Sequence, residues 1–328
     1  MNLKKLNPKN WSWWKSRQFK IVLLSIVILL VAFELIARFA IGLGDIPVYI
    51  EHPKYEYIYA PNQDVKRLGN RIVTNKHSMR SKPLKKTDKV RVLKIGDSVL
   101  NGGVHVDHDA LSSSKLEKKV QKKHGKNVRV LNISAGSWGP DNAFAYIKEH
   151  GHFKASMMVL VFSSHDLFDK MHFQKVVGKH PAWPDSKPWL ASTDAFSRVI
   201  WPKVKSWFVE PENEYAYLIG TDVSTNNPGW ESFFEYAKAN NIELLVYLHP
   251  TQAERKKGEY IKYGRILKNK FRLAGINCVF GLDHKMDASH YRDDIHLNEK
   301  GHKKLAEILY PAVNGHIKQA LTQGKTAS

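Results

Sequence analysis

The chain has 328 residues, 43% of them hydrophobic, and 51 lysines and arginines against 31 acids set a formal charge of +20. Such a composition builds a globular protein with a sizeable core, and the single cysteine, Cys278, excludes an internal disulfide framework and a Cys-rich zinc site. The excess of positive charge favours a polyanionic partner or an anionic membrane surface.

Residues 1–20 carry Lys4, Lys5, Lys9, Lys15, Arg17 and Lys20 with no acid, together with Trp11, Trp13 and Trp14. Residues 21–33 are apolar except for Ser25, and Glu34 and Arg38 interrupt the apolar residues beyond at a spacing that lets them pair on a helix. The run 21–41 has about the length that spans a bilayer. Its basic, Trp-rich flank predicts a single-pass anchor in the cytoplasmic membrane, with the N-terminus inside and the remainder extracytoplasmic. A cleaved signal peptide is the rival reading; it requires small residues at the cleavage site, and Arg38-Phe39-Ala40 fits poorly.

Residues 42–89 read as a connector rich in Pro, Tyr and Asn without sustained periodicity. Pro61-Asn-Gln and the stretch from Asn75 to Arg80 read as turns, and residues 71–74 as a short edge strand. From Val90 to the C-terminus, strands and helices alternate. That pattern predicts a parallel sheet with helices on both faces, a three-layer α/β/α domain over residues 90–328. Strands are expected at 90–98, 128–133, 157–162, 243–248 and 277–280. Helices are expected at 110–124, from about Asp141, at 228–240, at 252–274 and at 298–320. Residues 168–227, with Pro181, Trp183, Pro184, Pro188, Trp189, Trp201 and Pro202, form an irregular insertion whose aromatic content suits a cover over a site.

Chemistry concentrates where the first strand ends, in Gly96-Asp97-Ser98-Val99-Leu100, before the small-residue turn Asn101-Gly102-Gly103. A serine there is exposed at the rim of the sheet, where open α/β sheets place their sites. The surrounding residues are not the Gly-x-Ser-x-Gly elbow. A hydroxyl needs a base to take its proton, and Asp293-Asp294-Ile295-His296 supplies one in His296. Asp293 is placed to hold the imidazole tautomer; Asp294 is the competitor. Asn142 and His249 are candidates to line the substrate site, although His249-Pro250 also reads as a turn. His105, Asp107, His108 and Asp109 invite a metal, but an aspartate before a helix is better explained as an N-cap, and no metal is expected. Basic runs at 118–126 and 255–272 read as solvated helix faces that together could guide an anionic glycan. Nucleic-acid binding would need a reading element that the chain lacks.

The Gly-Asp-Ser block and the Asp-x-x-His block resemble those of the SGNH (GDSL-type) hydrolase superfamily, over about residues 90–313. The connector is similar to segments that join anchor and catalytic domain in membrane-anchored members found with bacterial surface-polysaccharide biosynthesis. The resemblance implies a flavodoxin-like fold and acyl-ester chemistry without a cofactor at the carboxyl rim of the sheet. It also implies an oxyanion hole made by the N–H of Ser98, an N–H after the second strand and a side chain after the third. The second donor falls on Gly136 or, counting from Asn132, on Ser137. Ser163-Ser164-His165-Asp166 stands where the family has Gly-x-Asn-Asp, so His165 occupies the asparagine position; imidazole can still donate one hydrogen bond. The implied activity is that of an extracytoplasmic serine esterase acting on O-acyl groups, acetyl above all, of an anionic surface polysaccharide. An O-acetyltransferase working with a membrane acyltransferase is the alternative. A catalytically silent glycan-binding or assembly protein is a third reading, kept open by His165.

Overall fold

The computed structural model describes residues 17–208 and 225–326. The first sixteen residues, with most of the basic Trp-rich flank, and part of the predicted insertion lie outside the described residues.

Helix α1 (Arg17–Leu35) forms from an apolar run without breakers and continues through a π-helical turn, Ile36–Ile41, that Gly42 ends at a left-handed φ of 76°. The span Arg17–Ile41 has 25 residues, and its most apolar 18-residue stretch has a mean hydropathy of 2.7 with no residue buried inside the protein. At about 1.5 Å per residue it is long enough to cross a hydrocarbon core of about 30 Å.

The connector is more ordered than its sequence suggests. Strands β1 (Tyr49–His52) and β2 (Glu56–Tyr59) form one antiparallel hairpin. Strands β3 (Asp64–Arg67) and β4 (Asn70–Val73) form a second. The expected edge strand at 71–74 is thus one arm of a hairpin. All four residues of β2 are buried, which removes the polar–apolar alternation that marks a half-exposed strand. Tyr55, Tyr57 and Tyr59 pack into the same core as Trp138, Tyr146 and Trp183, and the Trp138 indole donates to the Tyr57 carbonyl at 2.9 Å.

The remaining elements alternate as predicted. Strand β5 (Val90–Gly96) enters a one-turn helix α2 (Ser98–Asn101), followed by α3 (Ser112–His124) and β6 (Val128–Ser134). Then come α4 (Pro140–His150), β7 (Met157–Ser163) and, within the insertion, α5 (Ala191–Ala195) and α6 (Trp201–Lys205). The pattern resumes with α7 (Gly229–Ala239), β8 (Glu243–His249), α8 (Gln252–Lys257) and α9 (Lys262–Leu273). Strand β9 (Asn277–Phe280) and the long helix α10 (Glu299–Thr326) complete it. The single helix expected at 252–274 is divided at Gly258, whose φ of 72° ends α8.

The five strands are parallel in the order β6-β5-β7-β8-β9. Alternate residues feed two cores, as the period of two requires. Leu93, Ile95, Leu131, Ile133, Leu160 and Phe162 meet α4, α7 and α9 on one face. Val92, Val130, Val159 and Val161 meet α3 and α10 on the other. The three-layer arrangement brings the carboxyl ends of β5, β6, β7 and β8 together at one rim.

Candidate active site

Gly96 closes β5 beside its parallel neighbour β7, in register with Val161. A Cβ on it would lie 2.3 Å from the Val161 carbonyl oxygen, so only glycine lets the strands approach this closely. The strand ends here, two residues earlier than expected, because Asp97 leaves the ladder to cap α2: its carboxyl accepts from the Val99 N–H at 2.8 Å. Ser98 is therefore the first residue of a helix, half-buried, with its position set on both sides. Downstream, Asn101 donates to the Ser134 carbonyl at 2.9 Å, and the fully buried Arg80 donates to the Asn101 carbonyl.

The loop before α10 brings the partners. Tyr291 and Leu297 form an isolated antiparallel bridge, and the Arg292 N–H donates to the His296 carbonyl at 2.8 Å. Inside this tight loop Asp293 Oδ1 accepts from the backbone N–H of Ile295 at 3.1 Å and of His296 at 2.8 Å. The two carboxylate oxygens lie 2.9 and 2.8 Å from His296 Nδ1, and His296 Nε2 lies 2.9 Å from Ser98 Oγ. A carboxylate, an imidazole and a hydroxyl are thus hydrogen-bonded in series across a sequence separation of nearly two hundred residues. Partial burial works to raise the Asp293 pKa, but the two N–H donors and the adjoining imidazole overcome it and hold the group down to about 2. Asp294, the competing carboxylate, offers the loop only its carbonyl, which accepts from Arg255 at 3.4 Å.

Two expected substrate-lining residues are corrected. His249 is completely buried and donates from Nε2 to the Ile295 carbonyl at 2.9 Å, so it props the Asp293–His296 loop from beneath. Burial pulls its imidazole down to about 3, which keeps it neutral and able to hold that bond. Asn142 is also buried: its Oδ1 accepts from the Gly139 N–H at 2.9 Å, and its amide donates to Glu56 at 2.6 Å. It joins the start of α4 to β2. Both side chains are spent on polar groups that would otherwise lie unpaired in the interior.

Gly136 and Ser137 form the half-buried turn between β6 and α4. The left-handed residue of the pair is Ser137, at φ 56°, and the Gly136 carbonyl accepts from the Tyr57 hydroxyl at 2.9 Å. His165 sits half-exposed on the turn after β7, with a ring nitrogen within 4.8 Å of a carboxylate oxygen on each of Asp97 and Asp166. These three have the donor types of a metal-ligand set, but both carboxyl groups are buried and each already accepts a backbone N–H, from Val99 and Ser163. Among the metal candidates before α3, Asp107 serves the backbone: it accepts from the Asp109 N–H at 2.9 Å and from the Arg71 N–H at 2.8 Å.

Asp97, next to Ser98 in the chain, belongs to a group of buried acids that the sequence did not disclose. Burial, reinforced by their mutual repulsion, pushes the carboxyl groups of Asp97, Asp166 and Asp169 up to about 8. Each is thereby shifted from the ordinary carboxylate range toward its protonated form. The short Asp166-to-Asp169 spacing is visible in the sequence, but nothing there marks the pair as buried.

No family model matches the chain, and no curated protein matches it. Among solved structures it is similar to the psychrotrophic esterase EstA from Pseudoalteromonas sp., at 10% identity and a TM-score of 0.41, covering 70% of this chain and 98% of that one. It is similar to a carbohydrate acetylesterase family member from Sinorhizobium meliloti, at 14% identity and a TM-score of 0.36, covering 68% and 97%. It is also similar to a member of the lipolytic protein G-D-S-L family from Veillonella parvula, at 10% identity and a TM-score of 0.38, covering 67% and 96%.

Proposed function

We propose that the chain is a membrane-anchored, extracytoplasmic serine esterase that removes O-acyl groups from a cell-surface polysaccharide. The observation that carries the reading is the unbroken series Asp293–His296–Ser98, with 2.8 Å and 2.9 Å contacts on the two sides of one imidazole. The carboxylate fixes the tautomer with hydrogen on Nδ1, so Nε2 is the acceptor that faces the Ser98 hydroxyl. As Oγ attacks the ester carbonyl carbon, Nε2 takes its proton. The tetrahedral intermediate collapses by expelling the sugar oxygen, which receives that proton from His296 and leaves an acyl-serine. Water, deprotonated by the same nitrogen, then attacks the acyl carbon and frees the serine. The Ser98 N–H, an N–H at Gly136 or Ser137 and the His165 imidazole are the proposed oxyanion donors. Helix α1 and the lysines before it support anchoring with the domain outside, and the charge of +20 suits an anionic glycan.

An organophosphonate probe tests the nucleophile. The wild-type chain should be labelled and Ser98→Ala should not; equal labelling of the two ends the reading. Transfer of the acyl group to a sugar hydroxyl would use the same acyl-serine, and a turnover that rises with an oligosaccharide acceptor while acetyl accumulates on it would distinguish transfer from hydrolysis.

A further inference from the structure

The part of the insertion nearest the anchor has a surface that solvent does not suit. Trp189 is 92% exposed, Trp207 77% and Phe208 80%, and Phe196 and Trp201 are each more than half exposed. The segment is nevertheless held in place. Glu34 of α1 accepts from the backbone N–H of Ala191 at 2.9 Å and of Ser192 at 2.8 Å, capping α5, and Arg38 donates to the Trp189 carbonyl at 3.1 Å. Ala37 and Leu43 share a small buried cluster with Ala191 and Ala195. Asp194, buried in α5, accepts from Arg67 of β3 and from the Gly44 N–H at 2.8 Å. These bonds run to the anchor and the second hairpin.

We infer that residues 189–208 form an interfacial foot that lies in the headgroup region of the bilayer beside the outer end of α1, with anionic phospholipid as its partner. The inference rests on the proposed anchoring of α1. Glu34 lies two turns before the helix ends at Ile41, roughly 10 Å along the axis. The backbone of residues 189–192 is bonded at that level, so it lies within the depth that the apolar helix defines. A carboxylate and a guanidinium are costly at such a depth unless paired. Here Glu34 and Arg38 pair at 2.8 Å and spend their remaining capacity on the foot, which accounts for two charges in an otherwise apolar span. Trp and Phe side chains with exposed Lys203 and Lys205 among them match a layer of acyl-chain ends and phosphates. Exposed aromatic side chains in this number mark an interaction site, and the attachment of their segment to α1 identifies the bilayer as what covers them.

The test uses the full chain in vesicles of phosphatidylethanolamine and phosphatidylglycerol. In a Cys278→Ser background, an environment-sensitive fluorophore is attached at Leu29→Cys, Trp201→Cys, Phe208→Cys or Lys257→Cys; all four side chains are exposed, so the core is untouched. Nitroxide lipids labelled at two depths and aqueous iodide report the location. Trp201→Cys and Phe208→Cys should lie about 5–10 Å below the headgroup boundary, Leu29→Cys deeper, and Lys257→Cys in water. If Leu29→Cys is deep while Trp201→Cys and Phe208→Cys behave like Lys257→Cys, the anchor stands and the foot is refuted; the aromatic surface would then belong to a protein partner. If Leu29→Cys is itself in water, the anchoring reading fails and takes the inference with it. With phosphatidylcholine alone, iodide should reach Trp201→Cys and Phe208→Cys more readily; unchanged access would overturn the role given to Lys203 and Lys205.

Discussion

Replacing Asp293 by asparagine removes one charge and almost no volume, and the geometry dictates the consequence. The carboxylate faces donors on every side: Oδ1 accepts from the N–H groups of Ile295 and His296, and Oδ2 lies 2.8 Å from His296 Nδ1 and 3.1 Å from Arg292. An amide must turn its NH₂ toward one of these sets. If Oδ1 keeps the backbone donors, Nδ2 meets Nδ1–H and the guanidinium, and the imidazole moves its proton to Nε2. That proton then points at Ser98 Oγ, and the base is lost. If the amide flips, the loop loses its two backbone bonds and His296 loses its place. Loss of the productive tautomer costs about 10⁴-fold in kcat in the serine-protease triad, equivalent to about 5 kcal/mol of transition-state stabilisation. The same scale is expected for Asp293→Asn. The assay is the second-order rate of Ser98 phosphonylation, measured beside a melting curve to show that the fold survives. A variant that melts like the wild type and keeps more than about a tenth of its labelling rate would refute the tautomer argument.

His165→Ala should lower kcat about 10²–10³-fold with little change in KM, the loss typical of one oxyanion donor. His165→Asn should recover much of that activity, whereas full activity in the alanine variant would assign the donor to another group. Lys94 is completely buried in β5, with its ammonium 2.6 Å from the Ser112 hydroxyl, and burial pulls its pKa down to about 7. Between that value and the ordinary lysine pKa near 10.5 the unfolded chain binds more protons, so wild-type stability rises with pH across the window. Lys94→Met removes the buried charge but leaves the Ser112 hydroxyl unpaired at every pH, so the melting temperature of the variant relative to wild type should fall as pH rises from about 7 toward 10; a difference that does not vary with pH would contradict the assignment. A reporter active only outside the cytoplasm, fused after Ser328, should be active, and protection of the domain from external protease in spheroplasts would reverse the topology.

The five parallel strands, their helices and the membrane-length helix were legible in the sequence because each rests on local regularity: apolar alternation, helical period, unbroken hydropathy. The meeting of Ser98, Asp293 and His296 was legible for a related reason. A serine at a strand end and an Asp-x-x-His loop before a helix are local patterns, and a parallel sheet necessarily brings its carboxyl ends to one rim. What tertiary structure alone decided is the fate of polar residues whose partners are far away in sequence. His249 and Asn142 have the chemistry of substrate-lining groups, but Ile295 and Glu56 claim them, and both are buried. The first half of the connector became a hairpin because its tyrosines found Trp138 and Trp183; a strand buried throughout, like β2, shows no alternation to detect. Asp97, Asp166 and Asp169 are ordinary acids in a row of letters. Burial pushes their carboxyl groups up toward the protonated form, and burial is a property of the packed chain that no window of neighbouring residues contains.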